Sequence, residues 1–423
     1  MKRDFPYYVV ALGLVSTCIA VLTSSVFYIA PAIPIAFIAL LTLYKRPEYG
    51  LLALVFFVPL EGVFAGNKLF TGPKLIGIAL IAIVSIKLLR KELPISNMRS
   101  ALWWPIMALI LAFSLSSVFS PYSSVSIQSL KQLLTAISLF YITLAIKDQV
   151  KPLHLARVIV VSVSITAFFA LLESKQSIDG RAIGLLTDPN YFALLLTTAI
   201  PFATFLLIHE KSTVLKLLWS ISLIVILVAF EKTLSRSGLV VLVFVFPVLC
   251  VHYKEYLRKL NVSQLIIIVI GASILTVTLA LLAPQEYRDR MLSLTKLSSG
   301  VHTFEDRSLG RRSSYIIVAF DEFKKHPILG SGPGTFPFHY AQSGYAAAFS
   351  LNKNEPELFR RAHNTYLETL AETGFLGLIS LFGIVWLGLR QFKQARAFQI
   401  RSGNLKRAAL ATHYFAAFIA IVL

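Results

Sequence analysis

The sequence predicts an all-α, polytopic integral membrane protein of about 12–13 transmembrane helices, with one large, mostly helical loop outside the cytoplasm. Three observations carry that expectation. Of the 423 residues, 56% are apolar and only 14% charged, against roughly a quarter charged in a soluble protein, and the mean hydropathy is +0.73. Apolar stretches long enough to cross a bilayer recur from one end of the chain to the other. The loops between them alternate between basic and poor in positive charge, the bias that orients spans.

The apolar stretches fall at 7–24, 26–44, 50–66, 74–90, 102–119, 128–147, 153–172, 190–208, 215–232, 237–252, 264–283, 374–390 and 408–423. Only Ser24 and Ser25 separate the first two, and Pro31 and Pro34 are placed to kink the second. Lys2 and Arg3 followed by an apolar run look like a signal sequence, yet further spans follow at once and no small-residue cleavage site stands out, so the first span reads as uncleaved. Cys18 and Cys250 lie inside apolar stretches without CxxC or Cys/His spacing and read as packing residues. The net charge of +19 is scattered between spans rather than gathered on one surface, which favours a membrane over a nucleic-acid partner.

Sidedness follows from the basic loops. Lys2 and Arg3, Lys45 and Arg46, Arg90 to Arg99, Lys147 to Arg157, Lys211 and Lys216, Lys254 to Lys259, and Arg390 to Arg407 mark the cytoplasmic face. The chain then divides into N-terminal spans (1–180), spans whose short outer loops carry arginines (181–283), a large outer loop (284–373) and C-terminal spans (374–423). Aromatic residues such as Tyr315, Phe336 and Tyr340 give the large loop enough apolar surface to fold.

Four polar groups map to the outer face. Arg181 precedes Asp188-Pro189-Asn190, in which Asp188 suits a helix N-cap and Pro189 the first helical position; an outer-loop arginine runs against the positive-inside bias. Glu231-Lys-Thr-Leu-Ser-Arg236-Ser-Gly238 is a short turn between two spans, where Arg236 either snorkels, pairs with Glu231, or binds a phosphate at membrane depth. Ser308-Leu-Gly-Arg311-Arg312-Ser-Ser-Tyr315 brings adjacent arginines, and the glycines of His326-Pro-Ile-Leu-Gly330-Ser-Gly332-Pro-Gly334 suit tight turns rather than a nucleotide cradle. Arg360-Arg361-Ala-His363-Asn364 begins an amphipathic helix, with Leu367, Leu370 and Ala371 at helical spacing. Alone, His363 reads as structural; two preceding arginines favour the neutral imidazole that a general base requires.

The sequence has no Asp-x-Asp metal motif, no HExxH and no nucleophile elbow, and the outer loop carries Glu305 and Asp306 as a close carboxylate pair. Neither a metal nor another cofactor is therefore expected. Several arginines and one histidine on the outer face suit transfer from a lipid-linked diphosphate, with arginines neutralising the leaving group and the histidine deprotonating a hydroxyl.

TLSRSG at 233–238, SLGRRSSY at 308–315, HPILGSGPGTF at 326–336 and HNTYLETLAETGFLGL at 363–378 resemble the O-antigen ligase and O-antigen polymerase superfamily, and GLLTDPNYFA at 184–193 is similar to that family's upstream motif. The resemblance covers about 180 to 390, and its most specific element is the His-Asn-x-x-Leu helix followed by Glu-x-Gly. It implies an inverting, metal-independent glycosyltransferase in the bacterial cytoplasmic membrane, working at the outer leaflet and taking glycan from undecaprenyl diphosphate. His363 matches the general base, and Arg236 and Arg312 match the catalytic arginines. Arg311 is an adjacent alternative to Arg312, Arg181 a further carry-over, and Arg361, Asn364 and Asn190 complete the expected substrate-binding set. The first reading is a ligase acting on lipid A core; a polysaccharide polymerase, a protein oligosaccharyltransferase and an anionic glycan transporter are the alternatives. Membrane lipids are the remaining expected partners.

Overall fold

The computed structural model describes residues 13, 15–17, 32–60, 71–172, 180–259, 307–349 and 358–423. Among the described residues the regular structure is helical with no strand, and eight helices are long and apolar enough to cross a membrane. The chain is an all-α polytopic membrane protein. Its helices are α1 (Ala32–Lys45), α2 (Pro47–Phe57), α3 (Gly72–Leu89), α4 (Trp103–Phe119), α5 (Ser123–Ala145), α6 (Pro152–Leu172), α7 (Pro189–His209), α8 (Thr213–Lys232), α9 (Arg236–Lys259), α10 (Arg307–Lys325), α11 (Phe336–Gln342), α12 (Gly344–Phe349), α13 (Thr365–Arg401) and α14 (Leu405–Val422). The expected span 264–283, most of 7–24, and residues 284–306 and 350–357 of the large loop, with Glu305 and Asp306, lie outside the described residues.

Several boundaries differ from the apolar pattern, α9 for example continuing to Lys259 beyond the apolar stretch 237–252. α5 begins at Ser123 rather than 128, because its first turns are polar yet helical. α13 extends from Thr365 to Arg401, beyond both ends of the apolar stretch 374–390. Pro34 is the third residue of α1, and Pro31 lies outside the described residues.

α7 is the centre of the bundle. Phe192, Leu196, Phe202 and Phe205 on it are buried, packed against α6, α8 and α14. Small residues on those helices, Ala156, Ala193, Ala199, Ala203, Ala229, Ala409 and Ala417, allow close approach. Lipid tails are as apolar as leucine, so such fitted contacts rather than burial as such hold spans together.

The ends of the bundle differ in charge. At one end Arg157 pairs with Glu210 (3.2 Å) and Lys406 Nζ donates to the carbonyl of His209 (3.1 Å). α7 starts at the opposite end, where the N-terminus of α13 and the turn between α8 and α9 also lie. The candidate site residues gather there.

α13 is broken inside. Gly374 has φ 62° and ψ −158°, a non-helical interruption in a region that only glycine occupies readily. The loop 327–336 takes up the freed backbone groups: Pro327 O accepts from Phe375 N (2.9 Å), Ser331 N donates to Ala371 O (3.0 Å), and Gly332 N donates to Glu372 O (2.9 Å). Ser116 Oγ of α4 donates to the same Glu372 carbonyl (2.7 Å). A broken helix near a membrane is tolerable because protein groups replace its lost hydrogen bonds.

Candidate active site

Four sequence motifs converge on this end. At the start of α7, the Asp188 carboxylate accepts from Asn190 N (2.7 Å) and Tyr191 N (3.0 Å), and Pro189 opens the helix, as its sequence suggests. The Asn190 carboxamide oxygen then accepts from Arg181 Nη2 (2.9 Å) and Ser235 Oγ (3.0 Å), while Arg181 Nε donates to Thr233 O (2.7 Å). Arg181 and Asn190 thus tie the 180–191 loop to the turn between α8 and α9. Part of each side chain is committed to holding the site in shape.

That turn is itself tightly specified. Thr233 Oγ1 donates to Phe230 O (2.7 Å), and Ser235 Oγ accepts from Gly238 N (3.3 Å) as the cap of α9. A Cβ on Gly238 would fall 2.8 Å from the Phe230 ring and 3.1 Å from Ala193, so only glycine lets α9 close on α7 and α8. Leu234 has φ 50°, an uncommon conformation outside glycine that is maintained by its surroundings. Arg236 emerges at the next helical start, at a turn held from both sides.

The third and fourth motifs pack on each other. Ser314 on α10 donates to Arg311 O (2.7 Å) and shares a hydrogen bond with the Tyr340 hydroxyl (3.1 Å). Tyr315, Val318, Phe336, Tyr340, Ala362 and Ala371 form one small core that joins α10, α11 and the first turns of α13. The described part of the large loop therefore packs against the first turns of α13. Burial raises the Tyr315 hydroxyl above the ordinary tyrosine range, partly offset by Arg360 and Arg311.

His363 sits at the meeting point. Its ring centroid lies 6.4 Å from those of Tyr191 on α7 and Tyr315 on α10. Its φ is 51°, and the backbone is held on either side: Asn364 caps α13 by accepting from Tyr366 N (3.0 Å) and Leu367 N (3.1 Å), and Glu368 accepts from Ala362 N (2.7 Å). The Asn364 oxygen is thus committed to the helix end. His363 is shifted below the ordinary histidine range, first by loss of hydration, with Asp188 opposing and Arg312, Arg360 and Arg361 adding to the shift. The direction is the one the preceding arginines suggested; the larger cause is crowding by the elements that meet there.

Glu368 and Glu372 are the residues that sequence reasoning left without a role. Glu372 is buried and accepts from Gly334 N (2.7 Å) and Phe336 N (3.0 Å), clasping the glycine-rich loop. The signal was present as the Glu-x-Gly after His363, but the partners are some 40 residues upstream and have no local trace. Gly330 and Gly334, with φ 69° and 79°, complete the clasp. A Cβ on Gly330 would lie 2.2 Å from the Glu372 carbonyl carbon. Among the described residues no group of three His, Cys, Asp or Glu side chains is arranged to hold a metal ion.

Residues 221–382 match the family model described as O-antigen ligase. That match places this segment in the O-antigen ligase and polymerase superfamily. The ligase-family segment takes in Arg236, Arg311, Arg312, Arg361, His363 and Asn364, whereas Arg181 and Asn190 lie upstream of it. A comparison with curated proteins gives no match.

Proposed function

We propose that the chain is a metal-independent, inverting glycosyltransferase of the bacterial cytoplasmic membrane, and specifically an O-antigen ligase that moves glycan from undecaprenyl diphosphate to a hydroxyl of lipid A core. The observation that carries this reading is His363, held at a left-handed backbone position and shifted toward the neutral form, beside Arg312 and within a segment of the ligase family. The basic end of the bundle lies opposite, which supports an outward-facing site.

The acceptor hydroxyl attacks the anomeric carbon of the first sugar while His363 takes its proton. The new carbon–oxygen bond forms as the anomeric carbon–phosphate oxygen bond breaks, with inversion, and undecaprenyl diphosphate departs with the bonding pair. Arg236 and Arg312 carry the charge that develops on the departing diphosphate, which guanidinium groups bind through paired donors. Arg311 serves as neighbouring positive charge. Arg181 holds the turn that presents Arg236.

The test is transfer by the purified full chain in EDTA, with undecaprenyl-diphosphate-linked oligosaccharide, offered lipid A core in one reaction and donor alone in another. Product on lipid A core is expected. A ladder from donor alone would make the chain a polymerase, and silence in both with donor still bound would overturn glycosyl transfer to either acceptor.

A further inference from the structure

A cleft opens beside the first turns of α13. It has a volume of about 240 Å³ and lies between α4, α5, α13 and the 334–337 segment, with Gln132, Arg361, Glu368 and Thr365 among its polar lining and Phe113 and Leu133 among its apolar lining. We infer that this cleft is a sugar subsite on the acceptor side of the reaction, taking one uncharged pyranose ring. The inference rests on the glycosyltransferase reading above and adds to it a place and a chemistry for the second substrate.

Three independent features support it. First, α5 is the least apolar of the eight candidate spans, at hydropathy 1.2, and is only 11% buried. Ser129 and Gln132 fall on its polar first half. A glutamine on a span facing lipid alone leaves its amide without partners, whereas one facing a wet cleft has them. Second, charge separates this cleft from the arginine side. Glu368 and Glu372 line the cleft beside a single arginine, Arg361, whereas Arg236, Arg311 and Arg312 are not among its lining. Third, an aromatic ladder borders the same segment. Tyr122 stacks on Phe338 (4.7 Å between centroids), Phe338 meets Phe359 edge-on (5.2 Å), and Phe359 is exposed. Exposed aromatic faces accept the C–H face of a sugar ring, while amide, guanidinium and carboxylate groups match its hydroxyls.

The size agrees. Sites for drug-sized ligands span roughly 300–1,000 Å³; this smaller cleft suits a single ring and leaves the rest of the glycan over the ladder. Arg361 and Thr365, two residues to either side of His363, both line it.

The test uses Gln132→Ala and Phe359→Ala in the full chain in lipid nanodiscs; both side chains are exposed and neither holds the fold together. With core oligosaccharide as acceptor, each substitution is expected to raise the acceptor KM about tenfold, the loss of one or two hydrogen bonds or one stacking contact, with kcat and donor KM within twofold of the parent. An unchanged acceptor KM, or a rise in donor KM instead, would overturn the assignment. Saturation-transfer NMR with deacylated core oligosaccharide reads the same cleft without turnover, and both variants are expected to weaken the transfer to the bound ring at least severalfold. Parent protein that binds the oligosaccharide through Gln132 and Phe359 but transfers to no acceptor would sink the proposed function and keep the subsite. Transfer with kinetics and NMR signals indifferent to both substitutions would do the reverse.

Discussion

Glu372→Ala isolates what clasps the glycine-rich loop to the broken helix. The carboxylate accepts from Gly334 N at 2.7 Å and Phe336 N at 3.0 Å, and hydrogen bonds to a charged group contribute about 1.5–3 kcal/mol each. Burying the carboxylate offsets part of that gain, leaving a net loss of about 3 kcal/mol for alanine. That corresponds to about a hundredfold faster exchange of the loop amides, since each 1.4 kcal/mol is a factor of ten. Glu372→Gln keeps one acceptor oxygen, and about a tenfold change is expected. The assay is hydrogen exchange by mass spectrometry on the 330–338 segment in nanodiscs, alongside transfer rate. Ser331 N and Gly332 N donate to backbone carbonyls of α13, so their protection should fall less than that of Gly334 and Phe336. Unchanged exchange at 330–338 in the alanine variant would refute the clasp, however activity responds.

Transfer is expected to fail on the acid side only below about pH 6.5, the ordinary histidine value, because the neutral imidazole of His363 persists as pH falls until its lowered pKa is reached. Asp188→Asn keeps the helix cap and removes the charge that raises His363, so the acid limb of kcat/KM should move to lower pH; Arg360→Gln removes a charge that lowers it and should move the limb to higher pH. Limbs that stay put in both variants would remove His363 as the titrating base. Arg236→Ala and Arg312→Ala should each cut transfer about 100-fold or more while the protein remains monodisperse, the usual cost of losing one donor to a developing anion; full activity in well-expressed variants would dismiss the assignment. Gly374→Ala should lower thermal stability by several degrees and cut yield, because its Cβ would fall 2.5 Å from the Ile328 carbonyl in a backbone region costing about 1–3 kcal/mol; a stable variant with parental melting would contradict the kink.

Periodic and local features were legible in the sequence. Runs of apolar residues gave the spans, Asp188 and Pro189 gave the start of α7, and Asn364 gave the start of α13, because caps act within three residues. The extent of α5 was not legible, since its first turns are serines and glutamines that read as a loop until a wet cleft is set beside them. Nor was the role of Glu372, whose two donors come from a loop that reaches it only after α13 breaks at Gly374. Arg181 and Asn190 were legible as polar groups on the outer face, but their bonds to Thr233 and Ser235 depend on α7 and α8 meeting across the core.

The geometry at His363 joins these threads into one argument about why the motifs occur together. Two of the three non-glycine residues with positive φ among the described residues, Leu234 and His363, adjoin or occupy the candidate site. Such positions persist only when their neighbours over-determine them. For Leu234 the neighbours are Thr233, Ser235 and, through Asn190, Arg181; for His363 they are Asn364 and Glu368. The residues around each candidate catalytic side chain are thus largely devoted to its backbone, and the Glu-x-Gly that follows His363 fixes the loop beneath it. A site built to handle a flexible lipid-linked chain needs its few charged groups held still, because alignment of base and arginines must come from the protein when substrate supplies little rigidity.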